Sequence, residues 1–466
     1  METCETGGIA LQIVGEANVN RIRPAGQLLI SFLSRRELLA LLLLVYCYFQ
    51  VWKPLQNFHC NDFKHIYLGV QAVWTRQDPY TAESILRIAQ EYGLGNEALN
   101  PYVYLPFTAI ALGFLRPLTF VQAAYVWFIV NHLSMFLSLC FIVLLVSGMS
   151  ELRWPRLRVA NLLLLVVCFS HPWARTLTAG QLNGILLLTY ALGAWLIWCR
   201  RETLSAFLLG FGAMFKLSPG IFILYFGLRR RWRAAGTMLL SMIVLGLISV
   251  AIAGMKMHLD FLPMLRQMGY GHSTWEEYGA TFWKDPWNQS LNSLLTHLLV
   301  PANRVTVAWA ELSQNVANVL TTVGVLVLLA GFLKVGLQMA INCEERNARE
   351  RRLAEQAFFQ ACLLLSLLIP SLLWDHYLVQ LVLPVAVLST IALEYRNWAL
   401  FSLTVASYFL TILPWRFDAE YFRTGAGILL MSVKLYPTLL LYGIALYWTH
   451  FLERNCLHSS SLPVSR

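Results

Sequence analysis

One aspartate sits in a chemically dense string, His59-Cys60-Asn61-Asp62-Phe63-Lys64-His65-Ile66-Tyr67, directly after the first strongly apolar run of the chain. A carboxylate beside apolar material has its pKa contested between desolvation and neighbouring cations. Such a group can take the proton of an attacking hydroxyl as a general base. The same residues also read as a helix start, with Asn61 or Asp62 capping a segment that runs to Trp74.

Further polar residues punctuate otherwise apolar sequence. Asp78-Pro79-Tyr80 reads as a turn, and Tyr102-Val103-Tyr104-Leu105-Pro106 as an aromatic belt or a platform for sugar rings. Gln181 and Asn183, in Gly180-Gln181-Leu182-Asn183, open an apolar helix and are costly there unless bonded. With Arg175 just upstream, that helix start suits an anion, although ordinary capping explains it equally well. Lys216 lies in an apolar run three residues before Pro219. An ionisable group at membrane depth faces a cavity or a partner, unless it snorkels to the interface. Asn288-Gln289-Ser290 matches a glycosylation acceptor, and Trp374-Asp375-His376-Tyr377 offers a histidine able to bind phosphate or shuttle a proton. No HExxH, Walker A, GxGxxG or GxSxG pattern is present, so neither a metal nor a nucleotide cofactor is expected.

The elements that must position these residues follow from composition. Of 466 residues 58% are hydrophobic and only 13% charged, and the mean hydropathy is +0.57. A soluble domain is about a quarter charged. Soluble, fibrous and disordered classes are therefore excluded, and an all-α polytopic membrane protein is expected. Apolar runs fall at 37–54, 121–147, 158–171, 182–199, 234–254, 316–337, 357–374, 377–393, 397–413 and 425–449. The formal charge of +10 is explained by loops held on the cytoplasmic side, with no nucleic-acid signature beside it. Arg229-Arg230-Arg231-Trp232-Arg233 and Glu344–Glu355 mark that side, as do Arg21, Arg23, Arg35 and Arg36. Residues 1–36 and 451–466 then form cytoplasmic tails around one transmembrane domain, 37–450. Two long extracytoplasmic loops, 55–120 and 255–315, remain. Tyr102–Pro117 is expected to lie at the outer interface, and 203–228 to form half-helices broken at Lys216–Gly220. Nine cysteines, of which only Cys60 falls in an external loop, leave no structural disulfide expected.

In order, Asp62, Asp78-Pro79-Tyr80, Tyr104-Leu105-Pro106, Gly180-Gln181-Leu182-Asn183, Lys216-Leu217-Ser218-Pro219, Asn288-Gln289-Ser290-Leu291, and His376-Tyr377 with Pro384 resemble glycosyltransferase family 87 of the membrane GT-C superfamily. The family often places a glycine-containing turn before its Asp-Pro-Tyr; this chain has Arg76-Gln77. The resemblance implies a GT-C-type bundle of about 10–12 transmembrane helices, each needing about 20 residues to cross. It also implies an inverting, metal-independent transfer of a hexose, typically mannose, from a polyprenyl-phosphate donor to a glycolipid or glycan hydroxyl at the extracytoplasmic face. Asp62 would be the base. Lys64, His65, Arg175, Lys216, His376 and Arg416 are the candidates to hold the donor phosphate. Asp78, Tyr80, Tyr104, Gln181, Asn183 and Asn288 complete the expected substrate contacts. A flippase of lipid-linked sugars, or a lipid-linked glycan ligase or polymerase, are the alternatives.

Overall fold

The computed structural model describes residues 32–96, 99–151, 155–341 and 348–458. Residues 1–31 and 459–466 of the expected tails, with Arg21 and Arg23, lie outside the described residues, as does Arg346. Those described form helices, and none of them forms a strand. Each of the ten apolar runs carries helix. Arg36–Gln56, Phe120–Met149, Trp232–Ala253, Gln314–Met339 and Asp375–Glu394 are long and apolar enough to cross a bilayer. Arg156–Cys168 with His171–Ala179 adds a sixth candidate, bent by 67°. Asn183–Trp198, Glu202–Phe215, Ser218–Leu228 and Trp398–Ile412 are shorter apolar helices. Long side chains on the outer helices, such as Leu133, Leu240 and Val327, are exposed, as expected of a bundle solvated by lipid.

The two stretches read as loops carry helices over about half their length. Asn61–Trp74, Ala82–Glu91 and Pro106–Ala111 occupy the first, and Met255–Gln267 and Leu291–Leu299 the second. Asn61–Trp74 is buried along nearly its whole length. Its packing is close enough that a Cβ on Gly69 would stand 2.2 Å from the Tyr102 ring. Helix Glu202–Phe215 stops at Lys216, whose backbone is extended (φ −150°, ψ 131°). Thr108 Oγ1 donates to the freed carbonyls of Met214 and Phe215 at 3.3 and 3.1 Å, satisfying a break that bare hydrocarbon would not tolerate. A charged layer closes each end of the bundle. Leu435–His458 runs between them, from Lys434 beside Asp375 to Glu453 among the arginines of the other end.

Candidate active site

Asp62 does not cap its helix. The N-cap is Cys60, held in the left-handed region (φ 50°), and no side chain caps the first turn. Cys60 N–H donates instead to Thr178 O at 3.1 Å, pinning this helix start to the turn before Gly180. Gly180 also has positive φ (72°), and a Cβ there would lie 2.6 Å from Phe63 Cβ. Only glycine serves both demands. Trp127 Nε1 donates to Gly180 O at 2.8 Å, and Asn131 Nδ2 to Gln181 O at 2.6 Å. Two turns far apart in sequence are thereby locked face to face.

The carboxylate so positioned meets His65, Arg175, Gln181 and His376. Asn100 Nδ2 lies 3.4 Å from Asp62 Oδ1. Burial raises the carboxyl's pKa, but His376, His65, the Gln181 amide and Arg175 together outweigh it and hold Asp62 below the ordinary carboxylate value. It is therefore ionised at neutral pH. His65 stacks on Tyr104 with ring centroids 5.8 Å apart, and Tyr104 O–H donates to Gln181 Oε1 at 3.2 Å. Burial pushes the His65 imidazole down to about 4, with Asp62 only partly opposing it. That corrects the expectation of His65 as a phosphate-holding cation, because desolvation keeps the ring neutral. Neither of its nitrogens, nor His376 Nε2, nor either polar atom of the Asn183 amide has a hydrogen-bond partner, although all are buried. Buried polar groups left open in this way need a ligand or water to satisfy them.

Lys216 completes the cluster from the helix break. Its Nζ stands 3.2 Å above the centre of the Tyr377 ring and within electrostatic reach of Asp62. Lys216, Tyr104 and Tyr377 line one end of a cavity of about 480 Å3. The rest of that cavity is mostly apolar, walled by residues such as Phe215, Leu224, Phe261, Leu329 and Ile369, with Ser218, Ser366, Ser371 and Gln380 among them. Placing His376 and Tyr377 depends on a residue that sequence reasoning missed. Lys434 Nζ lies 2.5 Å from Asp375 Oδ1, and His171 Nδ1 lies 2.9 Å from Asp375 Oδ2. Thr176 Oγ1 donates to His376 O at 3.1 Å. Lys434 lies inside an apolar run, the same signal that singled out Lys216.

The other expected contacts fall elsewhere. Asp78 is a turn residue whose Oδ1 accepts the Tyr80 N–H at 2.8 Å, and Tyr80 O–H donates to Tyr104 O at 3.0 Å. Tyr80 thus supports Tyr104 from behind. Asn288 is spent on structure: Nδ2 donates to Ser371 O and Oδ1 accepts Leu373 N–H at 3.0 Å. It braces the turn that walls the cavity, and its burial at 1% exposure closes it to glycosylation. Lys64 is buried beside Cys60, whose thiol burial pushes up to about 12 while Lys64 pulls it down. Arg416 is exposed. Cys47, Cys60, Cys140, Cys168, Cys199 and Cys362 are all free, and no group of three or more metal-ligating side chains occurs among the described residues.

The glycosyltransferase family 87 profile matches residues 102–371. The chain belongs to glycosyltransferase family 87. The matched region contains Tyr104, Arg175, Gln181, Asn183, Lys216 and Asn288; Asp62, His65 and His376 lie outside it. The chain is 24% identical over 326 residues to a polyprenol-phosphate-mannose-dependent alpha-(1-2)-phosphatidylinositol mannoside mannosyltransferase of Mycobacterium tuberculosis, covering 66% of this chain and 67% of that protein. A phosphatidylinositol pentamannoside mannosyltransferase of Mycolicibacterium smegmatis, also polyprenol-phosphate-mannose-dependent and alpha-(1-2), is 31% identical over 134 residues, 29% of this chain and 31% of that one. No solved structure matches the chain. Membership of family 87 makes this protein a membrane glycosyltransferase and sets aside the flippase alternative.

Proposed function

We propose that this family 87 transferase moves mannose from a polyprenyl-phosphate donor to the hydroxyl of a glycolipid or glycan acceptor at the extracytoplasmic face, with inversion. The supporting observation is the junction of two chemistries at Lys216. On one side is an ionised aspartate ringed by polar groups; on the other is an apolar cavity of about 480 Å3. A polyprenyl tail fits the apolar wall, and the phosphate meets Lys216, Arg175 and His376 through charge-assisted hydrogen bonds. The acceptor oxygen attacks the anomeric carbon from the face opposite the phosphate. As that bond forms, the bond from the anomeric carbon to the phosphate oxygen breaks. The electron pair leaves on polyprenyl phosphate, and the hydroxyl proton passes to Asp62. The relatives' dependence on polyprenol-phosphate-mannose supports mannose as the sugar.

The decisive assay supplies membranes containing the protein with radiolabelled polyprenyl-phosphate mannose. Lipid-extractable mannosylated product should form with the native chain and not with Asp62→Asn. Product at equal rate in both rejects Asp62 as the base. The facing of the site is read separately by labelling single cysteines in a cysteine-free background, at Tyr278, which is 59% exposed, and at Ala348. Impermeant reagent should reach the first from outside and the second only after lysis.

A further inference from the structure

Asn288-Gln289-Ser290 is a sequence signal that the chemistry around Asp62 leaves unused. All three side chains are buried, and their hydrogen bonds run to two remote segments. The first segment leads into Asp375. Asn288 Nδ2 and Ser290 Oγ both donate to Ser371 O, at 3.1 and 2.7 Å. Gln289 N–H donates to Leu373 O at 2.8 Å, and Asn288 takes the Leu373 N–H. Both backbone polar groups of Leu373 are thus held by one turn, two residues before Asp375.

The second segment leads into Lys434, and only Gln289 reaches it. Its Oε1 accepts Lys434 N–H at 3.1 Å, and its Nε2 donates to Met431 O at 2.7 Å. Gln289 therefore ties the approach to Asp375 with its main chain and the approach to Lys434 with its side chain. The two charges it brings together stand 2.5 Å apart. Lys434 is a costly place for a cation. It is 1% exposed and immediately precedes Leu435–His458, at the positive end of that helix dipole. A buried ion pair offsets its own desolvation only in a close, fixed geometry. The Gln289 bonds fix it.

What the pair holds is the phosphate side of the site. Asp375 opens the short helix Asp375–Leu381, so its placement carries His376 and the Tyr377 ring, which lies beneath Lys216 Nζ. Asp62 is placed by other means, through Cys60, Thr178 and Gly180. The hydrogen bonds of Gln289 go to Pro286, Leu373, Met431 and Lys434, none of them in that turn.

We infer that Gln289 is a positioning residue for the donor phosphate, acting through the Lys434–Asp375 pair on His376 and Tyr377. The inference rests on the transferase reading, in which those groups meet the phosphate, and adds to it a residue that touches no substrate. Loss of Gln289 loosens the phosphate site and spares the base.

The test uses two tritiated ligands that differ only in the phosphate, farnesyl phosphate and farnesol. Their binding to full-length protein in detergent is followed by scintillation proximity. The native chain should prefer farnesyl phosphate. Gln289→Met, close to glutamine in size, should weaken farnesyl phosphate by about tenfold, the scale of one lost hydrogen bond, and leave farnesol within about twofold. Gln289→Asn keeps an amide but falls one methylene short; it should shift the two ligands in the same sense, and carries the test if the methionine variant does not fold. In the transfer assay either variant should raise the donor KM by about tenfold and keep kcat within about threefold. In an Asp375→Asn, Lys434→Met background the pair is gone, and Gln289→Met should add little further loss. Unchanged farnesyl phosphate affinity, equal weakening of both ligands, or the full extra loss in the pair-free background each overturns the assignment. A native chain that binds the two ligands alike contradicts the phosphate site of the transferase reading itself, and this role with it. That failure is seen without any variant.

Discussion

The two charged layers at opposite ends of Leu435–His458 are built on opposite plans. From Lys434 to Glu453 the chain rises about 28 Å at 1.5 Å per residue, close to the thickness of a hydrocarbon core. At the Glu453 end, Glu355 binds Arg229 directly and has Arg231 and Arg351 at 3.6 and 3.7 Å, while Arg231 reaches Glu202 at 3.2 Å. That network encloses a cavity of only about 10 Å3. At the Lys434 end, the imidazole of His65 and the amide of Asn183 go unpartnered, and cavities of about 480 and 470 Å3 open beside Lys216 and Arg175. A saturated network can only hold helices together. An unsaturated one beside open volume is completed by a substrate.

The contrast can be broken experimentally. Its largest consequence lies at the open end, where Asp62→Asn should cut turnover by about 10²–10⁴-fold, the usual contribution of a general base. Since Asp62 does not cap its helix, the thermal midpoint should move little. A comparable fall in yield and turnover together would reassign Asp62 to a structural role. At the closed end the pattern should invert. Glu355→Gln leaves buried Arg229 without its counter-charge and should cost about 3–5 kcal/mol of stability, read as a lower thermal midpoint. Turnover per folded molecule should be kept.

The open end should also carry the acid sensitivity. The buried His65 imidazole titrates near 4 against 6.5 for the free group, so the unfolded chain binds a proton that the folded chain refuses. Stability therefore rises with pH across that window and falls as pH drops from 6.5 towards 4, by about 3 kcal/mol at 1.36 kcal/mol per unit. Asp62, with its depressed pKa, contributes the same sign only below the ordinary carboxylate range. His65→Phe, which can keep the stack on Tyr104, should lessen the slope of the midpoint between pH 6.5 and 4 without abolishing it, because buried His297 is also held below the free imidazole value and contributes the same sign. An unchanged slope would place the titrating group elsewhere.

Lys216→Met should raise the donor KM by roughly 10- to 100-fold, the equivalent of about 1.5–3 kcal/mol for a charge-assisted bond to phosphate. A normal donor dependence would make Lys216 only a partner of the Tyr377 ring. The smallest effect is expected at Arg76, which holds a left-handed backbone (φ 57°) in the turn before Asp78-Pro79-Tyr80. Arg76→Gly should stabilise by no more than about 1–2 kcal/mol, the cost of that conformation for an L-residue, and leave turnover alone.

Legibility in the sequence followed the range of the forces involved. The break at Lys216 was visible because Pro219 and Gly220 act locally. Gln181 and Lys216 stood out because polar groups in apolar runs are costly wherever they end up. Asn288, singled out by its Asn-Gln-Ser match and by the family resemblance, meets backbone in the fold, at Ser371 and Leu373, a pairing that a short motif does not reveal. Lys434 carried the signal and was passed over.

What the sequence determined by itself is the membrane class, the apolar segments and the short roster of residues able to do chemistry, all set by hydropathy and side-chain type. Only the tertiary structure decided what those residues are. Cys60 reaching Thr178 displaced Asp62 from the capping role that local preference assigns it. Burial against Tyr104 made His65 a neutral ring instead of a cation. Lys434, far along the chain, fixed Asp375 and with it the neighbours His376 and Tyr377. Desolvation and ion pairing depend on which groups the fold brings within a few ångströms, and residues hundreds of positions apart acquire that proximity only when the helices pack.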